Sequence, residues 1–292
     1  MFVIKYKKTF VLISVILVAL SLISIFTFGL KFGIDFKGGA LTEVVYKNAR
    51  PDQGVVEAKI KSLAFGESII QPTGIDGYSI KTRSLTEPER AGMMALLGAD
   101  AIEKSFTSVG PSVGAELVRK LIISFILVSL GIIFFIAFSF RKVSKPVSSW
   151  KYGFIAILTL IHDIMIPVGV FVILSHFYGA EVDTLFVVAI LTVLGLSVSD
   201  TIVVFDRIRE NIRVGHYKTF EETVGKSLEQ VYTRSIATSF AVIVVLLALV
   251  FFGPASTKNF ALMLTAGMFF GTYSSIFLAS PLLVMVNKTK SK

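Results

Sequence analysis

Asp200 is the side chain of this sequence that is best suited to do chemistry. It lies in an apolar run from Thr184 to Phe205, TLFVVAILTVLGLSVSDTIVVF, and is the only charged residue in that run. A carboxylate at the centre of a membrane-spanning helix costs at least ~2.5–3.5 kcal/mol on insertion scales, and such residues usually face a protein interior or a wet cavity. Asp200 is therefore a candidate site for carrying a proton or another ion. The structural alternative is an aspartate near a helix end that reaches back to water.

Arg234 is the basic residue best placed to interact with Asp200. The fourth apolar run ends near Asp206 and the fifth begins near Arg234, so both positions lie close to one membrane boundary. Six residues separate Asp200 from that boundary, about 9 Å at ~1.5 Å per residue, and an arginine side chain spans most of this distance. Pairing would favour the ionised carboxylate and burial the neutral acid, which would let the site load and release a proton. Alternatively, Arg234 only marks the boundary.

His162 and Asp163 are two further ionisable residues inside an apolar run, in ILTLIHDIMIPVG. They are costly in a membrane and should face protein. A proton relay and a static hydrogen-bonded pair near a kink at Pro167 both fit the sequence. Asp163 and Asp200 together also allow an intramembrane aspartyl protease, although LGLSVSD lacks the G-x-G-D sequence associated with that class.

Small residues beside these candidates predict close contacts between helices. Gly195 and Ser197 lie near the aspartate of the fourth run, and Ser197 precedes it by one turn on the same face. Gly267 and Gly271 form a G-x-x-x-G sequence in the sixth run. Because small side chains let helices approach closely, we expect helix packing at these positions, within the chain or with a partner.

The composition places these residues in an integral membrane protein. Of the 292 residues 54% are hydrophobic and 17% are charged, whereas soluble domains are about 25% charged. Six apolar runs are long enough to cross a ~30 Å hydrocarbon core. There is no cysteine, and no motif in the sequence predicts a metal or cofactor. The predicted segments are a first transmembrane helix at 1–30, an outer domain at 31–117, a five-helix transmembrane region at 118–286 (118–140, 152–175, 184–206, 235–252 and 260–286) and a tail at 287–292.

The basic residues predict the orientation of the chain. The net charge is +9, yet the segment from Lys31 to Glu116 holds 10 of the 29 Lys and Arg and 11 of the 20 acids, so it is nearly neutral. The other bases cluster beside the apolar runs, whereas the loops His176–Asp183 and Gly253–Asn259 carry only Lys258. The positive-inside rule then places both termini in the cytoplasm and the long segment outside. Since topology explains the excess charge, we expect no nucleic-acid partner.

The long outer segment has the pattern of a small α+β domain. Leu41–Tyr46 and Ser79–Thr82 are predicted strands, and Gly54–Ala64 has helical spacing. A second helix begins after Thr86, which caps it together with Glu89 three residues later. This order predicts helices on one face of a small sheet. Without a metal-ligand cluster, a nucleophile elbow or a phosphate loop, the segment is expected to bind or to transmit force.

The chain resembles the SecD/SecF family of protein-export membrane proteins, a part of the RND superfamily. Gly33–Gly39 (GIDFKGG) follows the first apolar run, as in that family. Leu194–Asn211 (LGLSVSDTIVVFDRIREN) resembles the family's fourth-helix signature, and Ser227–Ser239 (SLEQVYTRSIATS) resembles the pattern that opens its fifth helix. His162-Asp163 falls where the family has His-Asp. The layout of one helix, an outer domain and five helices covers nearly the whole chain.

The resemblance implies a membrane all-α six-helix bundle, half of an RND-type transmembrane domain, with an inserted extracytoplasmic α+β domain of ferredoxin-like fold. It implies a non-enzymatic accessory subunit of the Sec translocase that couples the proton-motive force to late protein export across the bacterial cytoplasmic (inner) membrane. The implied partners are a SecD-like membrane subunit, the SecYEG channel with its ATPase, and exported unfolded polypeptides. Asp200 and Arg234 become the implied proton-coupling residues, with His162 and Asp163 as further candidates. Half of a small-molecule RND exporter is the alternative within transport.

Overall fold

The chain forms two compact units of different composition. A computed structural model describes residues 2–140, 148–215 and 217–287. One unit consists of Met1–Lys31 and Ser124–Lys292 and is helical, and the other, Phe32–Ile123, is an α+β unit. Within the described residues six helices are long and apolar enough to cross a membrane, as the sequence predicts.

Four short strands are interspersed with helices in the first part of the described chain, and the rest is helical. In chain order they are α1 (Phe2–Lys5), α2 (Lys7–Phe28), α3 (Ile34–Lys37), β1 (Gly39–Tyr46), α4 (Gln53–Lys61), β2 (Ile69–Thr73), β3 (Gly77–Thr82), α5 (Glu87–Leu97), β4 (Ala101–Val109), α6 (Pro111–Phe140), α7 (Ser149–Tyr178), α8 (Thr184–Val214), α9 (Phe220–Phe252) and α10 (Ala255–Ser274), which continues through a π-helical turn (Ser275–Ala279) into α11 (Ser280–Val286).

The helices α8 and α9 are longer than the spans predicted from hydropathy. The predicted spans end at 206 and begin at 235, whereas α8 continues to Val214 and α9 already begins at Phe220. The polar extensions pack on each other, since Asn211 Nδ2 donates to Ser227 Oγ at 2.8 Å and both side chains are buried. Hydropathy detects the apolar section of a helix, so it misses turns that are stabilised by contacts within the protein.

Small residues and aromatic contacts hold the helical unit together. A Cβ built on Gly169 of α7 would lie 2.5 Å from Cβ of Ser21 on α2, so these two helices cross at close range. Ser24 Oγ also donates to the carbonyl of Gly169 at 3.2 Å. Between α7 and α8 the rings of Tyr152 and Phe205 meet edge to face with centroids 5.2 Å apart. These contacts fix α7 and α8, the two helices that carry the intramembrane aspartates.

The α+β unit has the predicted ferredoxin-like fold. Its four strands form an antiparallel sheet in the order β2-β3-β1-β4, and the chain order is βαββαβ. The helices α4 and α5 pack on one face of this sheet through a buried core. The core includes Val44, Tyr78 and Ile80 from the strands and Val56, Ile60, Met93 and Leu97 from the helices.

The sequence patterns predict β1 and β3 but miss β2 and β4. These two strands lie at the edges of the sheet, where one side of each strand is unpaired. β2 contains Pro72. Proline has no backbone N–H to donate to a neighbouring strand, so within sheets it is largely confined to edge strands such as this one. β4 is mostly exposed or half-exposed and shows no clear apolar alternation. The predicted start of α5 is confirmed by a capping box, in which Glu89 accepts from the backbone N–H of Thr86 at 2.8 Å.

Two glycines shape the connection from α3 to β1. Gly38 and Gly39 have backbone φ angles of 78° and 139°, which residues other than glycine rarely adopt. A Cβ on Gly38 would lie 3.0 Å from Cα of Pro111, and one on Gly39 would lie 2.8 Å from the carbonyl oxygen of Thr82. The GIDFKGG sequence therefore has a steric role in this unit.

Candidate functional site

Asp200 lies on α8 at the wall of a cleft of about 240 Å³ between α8, α9 and α10, and its side chain is half-buried. Its Oδ1 accepts a hydrogen bond from Ser235 Oγ at 2.7 Å, and its Oδ2 accepts one from Ser275 Oγ at 2.5 Å. A serine hydroxyl donates to a carboxylate and equally accepts from a carboxylic acid. The site can therefore accommodate Asp200 in both protonation states.

Arg234 lines the same cleft but does not form the predicted ion pair with Asp200. In the ranges that the structure describes, no ion pair or hydrogen bond joins the two side chains. Consecutive residues of an α-helix point about 100° apart, so Ser235 reaches Asp200 while Arg234, which is exposed, does not contact it. A positive charge is thus held in the wall of the cleft without contact to the carboxylate.

Asp163 on α7 is completely buried and has its own set of partners. Its Oδ1 lies 2.8 Å from Nδ1 of His162, and its Oδ2 accepts hydrogen bonds from Ser274 Oγ at 2.7 Å and from Ser197 Oγ. The ring of His162 stacks on that of Tyr273 with centroids 6.0 Å apart. Nε2 of His162 is buried and has no hydrogen-bond partner among the described residues. The hydrogen bond that one of the two alternatives requires, a pair formed by His162 and Asp163, is therefore present, and a relay role stays a prediction.

The two intramembrane aspartates are not arranged as the dyad of an aspartic protease. Such a dyad consists of two carboxylates that share one proton. Within the described part of the chain, Asp163 and Asp200 bind different serines, and no hydrogen bond joins them. No group of three or more His, Asp or Glu side chains in the same ranges could hold a metal ion.

Three of the four serines that hold the carboxylates, Ser235, Ser274 and Ser275, were not among the residues predicted for the site, whereas Ser197 was predicted there as a helix-packing residue and donates to Asp163. Ser274 and Ser275 are an adjacent polar pair in an apolar helix, and Ser235 directly follows Arg234, so a weak signal is present. A hydroxyl in a membrane helix often bonds a carbonyl of its own preceding turn, so its position in the sequence does not reveal a carboxylate partner. Only the packing of α9 against α8, and of the last membrane helix against α7 and α8, shows it.

The small residues divide into two kinds. A Cβ on Gly267 would lie 2.0 Å from Cγ2 of Val193, and one on Gly271 would lie 3.3 Å from Cβ of Ser197. The G-x-x-x-G sequence therefore forms a close contact between α10 and α8 within the chain. Nothing in the described chain lies within 4 Å of a Cβ built on Gly195, so Gly195 makes no close helix contact within it, and its packing against a partner stays a prediction. Gly195 lies on a face of α8 that no other part of the described chain approaches so closely.

The sequence of this chain matches a known family. Residues 91–289 match the model for protein export membrane protein SecD/SecF, C-terminal, and residues 23–49 match the SecD/SecF GG motif. The chain belongs to the SecD/SecF family of protein export membrane proteins. The longer match contains Asp163, Asp200 and the serines that bind them, and the shorter one contains the two glycines after α3.

Curated relatives in this family are similar over almost their whole length. A protein translocase subunit SecF from Thermobaculum terrenum is 42% identical over 296 residues, which cover 97% of this chain and 92% of the relative. A subunit of the same name from Pseudomonas aeruginosa is 35% identical over 284 residues, covering 95% and 88%. The family assignment confirms the prediction of a transport component that is not an enzyme, and it disfavours the aspartyl protease and the small-molecule exporter.

A solved structure shares the fold. The crystal structure of SecDF, a translocon-associated membrane protein from Thermus thermophilus, matches with a TM-score of 0.83 and 28% identity. The match covers 98% of this chain and 38% of that chain, so this chain spans well under half of the SecDF polypeptide. The likeness confirms the predicted membrane helix bundle with an α+β domain.

Proposed function

We propose that this chain couples the proton-motive force to late steps of protein export as an accessory subunit of the Sec translocase. Asp200 carries this proposal. It is a carboxylate inside a membrane-spanning helix, it borders a cleft, and serine hydroxyls hold both of its oxygens. Ionisable residues in this setting commonly mark proton pathways because they are costly to keep in a membrane.

The cleft supplies the two opposing influences that proton loading and release require. Hydroxyl partners accept either protonation state of Asp200 by reversing their hydrogen bonds. A positive charge close to the carboxylate would favour its ionised form. Arg234 stands in the same cleft without contacting Asp200. A small rearrangement of α9 against α8 that brings Arg234 to the carboxylate would therefore release the proton, and the reverse motion would restore the proton-accepting state.

The proposal includes partners and an orientation. A SecD-like subunit would cover the cleft, because lipid cannot satisfy a half-buried carboxylate. The chain would lie in the bacterial cytoplasmic membrane with both termini in the cytoplasm. The α+β unit, 31–117 in the predicted segmentation, would then lie outside the membrane. There it would act on unfolded polypeptides that emerge from the SecYEG channel, which works together with its ATPase.

The test is replacement of Asp200 in a strain depleted of its own copy of the protein. Asp200→Asn keeps the size and hydrogen bonding of the side chain but cannot release a proton. We expect it to slow export driven by the proton-motive force by roughly a hundredfold or more, the lower end of the loss typical of a positioned proton-transfer group. Asp200→Glu keeps the chemistry and should retain part of the activity. Pulse-chase of a secreted protein measures the rate, and immunoblots of membranes report the amount of each variant.

Asp206→Asn is the matched control for this experiment. Asp206 lies on the same helix six residues after Asp200, its side chain is 70% exposed, and it forms an ion pair with Arg209 at 3.8 Å. The same chemical change there should leave export unaltered. Wild-type export by the Asp200→Asn variant would refute a proton-carrying role for Asp200.

A further inference from the structure

Three consecutive residues, where α10 meets the π-helical turn, together contact both carboxylate networks. The ring of Tyr273 stacks on His162, Ser274 Oγ donates to Asp163 at 2.7 Å, and Ser275 Oγ donates to Asp200 at 2.5 Å. The π-helical turn begins at Ser275. Such turns are rare and are frequently found at functional sites. The irregular turn of the last membrane helix therefore stands between the buried carboxylate and the one at the cleft.

Each of the two serines has a second acceptor within hydrogen-bond distance. Ser274 Oγ lies 3.0 Å from the carbonyl oxygen of Gly271, and Ser275 Oγ lies 3.0 Å from that of Thr272. A hydroxyl has one hydrogen, so at any time it is donated to the carboxylate or to the main chain. When a carboxylate takes up a proton, its own O–H can donate to the serine oxygen, and the serine hydrogen then turns to the carbonyl.

This exchange acts directly on the helix. A hydrogen bond from serine to a carbonyl of the preceding turn tends to bend a helix. The carbonyls of Gly271 and Thr272 lie in the turn that leads into the π-helical segment. A change in protonation at one carboxylate would thus alter the turn that also positions the hydroxyl group for the other carboxylate.

His162 supplies an independent observation, because the buried network leaves one of its polar atoms unsatisfied in this arrangement. The residue is 2% exposed, and Nε2 has no hydrogen-bond partner among the described residues. A buried polar atom without a partner is unfavourable. The stacked ring of Tyr273 holds the imidazole in this position, and the hydroxyl of Tyr273 is fixed by a 3.2 Å hydrogen bond to the carbonyl of Phe10 on α2. A movement of the turn that carries Tyr273 would change the surroundings of Nε2.

We propose that Ser274 and Ser275 are positioning residues that couple the Asp163–His162 pair to Asp200, so that a change at either carboxylate is felt at the other. The ionisable groups that face the two carboxylates are His162 and Tyr273 at Asp163, and Arg234 across the cleft at Asp200. Through this coupling the buried pair of Asp163 and His162 would take part in the proton cycle, although neither residue lines the cleft. This part of the proposal rests on the proposed function.

The test compares the two carboxylates in variants that each remove one hydroxyl. The chain is reconstituted in lipid bilayers with ¹³Cγ-labelled aspartate, and solid-state NMR records the carboxyl resonances. Asp200→Asn and Asp163→Asn assign the two signals by their loss. Ser274 contacts Asp163 and not Asp200, yet we expect Ser274→Ala to shift the Asp200 resonance as well. Ser275→Ala should likewise shift the resonance of Asp163, and Ser274→Thr, which keeps a hydroxyl, should resemble the wild type.

Ser280→Ala is the matched control, because Ser280 is a buried serine in the same continuous helix whose hydroxyl has no hydrogen-bond partner within the described residues. It should shift neither signal. The coupling is refuted if Ser274→Ala moves only the Asp163 resonance and Ser275→Ala only that of Asp200. If one alanine variant fails to fold, the other still tests the coupling, because it reports the effect of its own hydroxyl on the carboxylate that it does not contact.

Export measurements separate this proposal from the proposed function. If the serines act as one unit, Ser274→Ala and Ser275→Ala should each slow export by roughly tenfold, the value of one hydrogen bond to a charged group, and the double variant should be no slower than the slower single variant. Independent packing roles predict that the two losses multiply. Coupled NMR shifts together with normal export by Asp200→Asn would sustain the coupling and overturn proton transport.

Discussion

Arg234 and Asp200 border one cleft, but in the part of the chain that the structure describes Ser235, not Arg234, bonds the carboxylate, at 2.7 Å. The guanidinium group of Arg234 therefore lies in the same cleft as the carboxylate of Asp200 but forms no ion pair with it. This arrangement is the one of the two states proposed above in which Arg234 does not contact the carboxylate.

The side chain of Arg234 should be needed for its charge and not for a forked geometry. Arg234→Gln removes the charge, and we expect it to reduce export driven by the proton-motive force about as severely as Asp200→Asn does. Arg234→Lys keeps the charge and should retain most of the activity, because no bidentate contact is present to lose. Arg213→Gln, at the exposed end of α8, is the control and should export normally. An Arg234→Gln variant as active as this control would contradict the prediction.

Gly267 should tolerate no side chain unless its neighbour is made smaller. Gly267→Ala places a Cβ 2.0 Å from Cγ2 of Val193, an overlap expected to destabilise the protein by about 1–3 kcal/mol. Thermal unfolding in mild detergent measures the loss. Val193→Ala in the same chain should restore most of it. Gly195→Ala, with nothing within 4 Å of the new Cβ, should unfold like the wild type, and equal effects at both glycines would disprove the packing account.

The α+β unit should be reachable only from outside the cell. The chain has no cysteine, so a single introduced thiol reports its own location. Ile75 in the turn between β2 and β3 is 95% exposed, and Lys218 is exposed in the connection between α8 and α9. An impermeant thiol reagent on intact spheroplasts should label Ile75→Cys, and it should label Lys218→Cys only after lysis. Labelling of Lys218→Cys in intact spheroplasts would reverse the proposed orientation.

The start of α5 should lose stability in acid. Hydrogen bonds from Arg83, and then from Thr86, lower the pKa of Glu89 from 4.5 to about 2. A carboxylate with a depressed pKa stabilises the fold above pH 4.5, and this contribution disappears as the pH falls to about 2. Hydrogen exchange of the α5 amides should therefore be faster in Glu89→Gln than in the wild type near neutral pH, and the two should converge at about pH 2. A constant difference across this range would contradict the assignment. Arg83→Ala should resemble Glu89→Gln.

The sequence by itself determined the membrane fold class and the residues at its centre. Long apolar runs have few structural solutions in lipid, because every backbone polar group must be bonded within a helix or a closed barrel. A charged residue in such a run is conspicuous for the same energetic reason, so Asp200, His162 and Asp163 stand out without coordinates. The capping box at Thr86 and Glu89 is equally local, since both of its members lie within one helical turn.

The tertiary structure alone decided which side chains meet. Ser235 reaches Asp200 in place of Arg234, Gly267 packs where Gly195 does not, and Ser274 and Ser275 reach two different carboxylates. These outcomes depend on the rotation of each helix about its axis, where one residue changes the direction of a side chain by about 100°. They also depend on which helices are neighbours. Hydropathy predicts neither the rotation of a helix nor its neighbours, because a serine or a glycine in an apolar run has the same hydropathy value on every face of the helix.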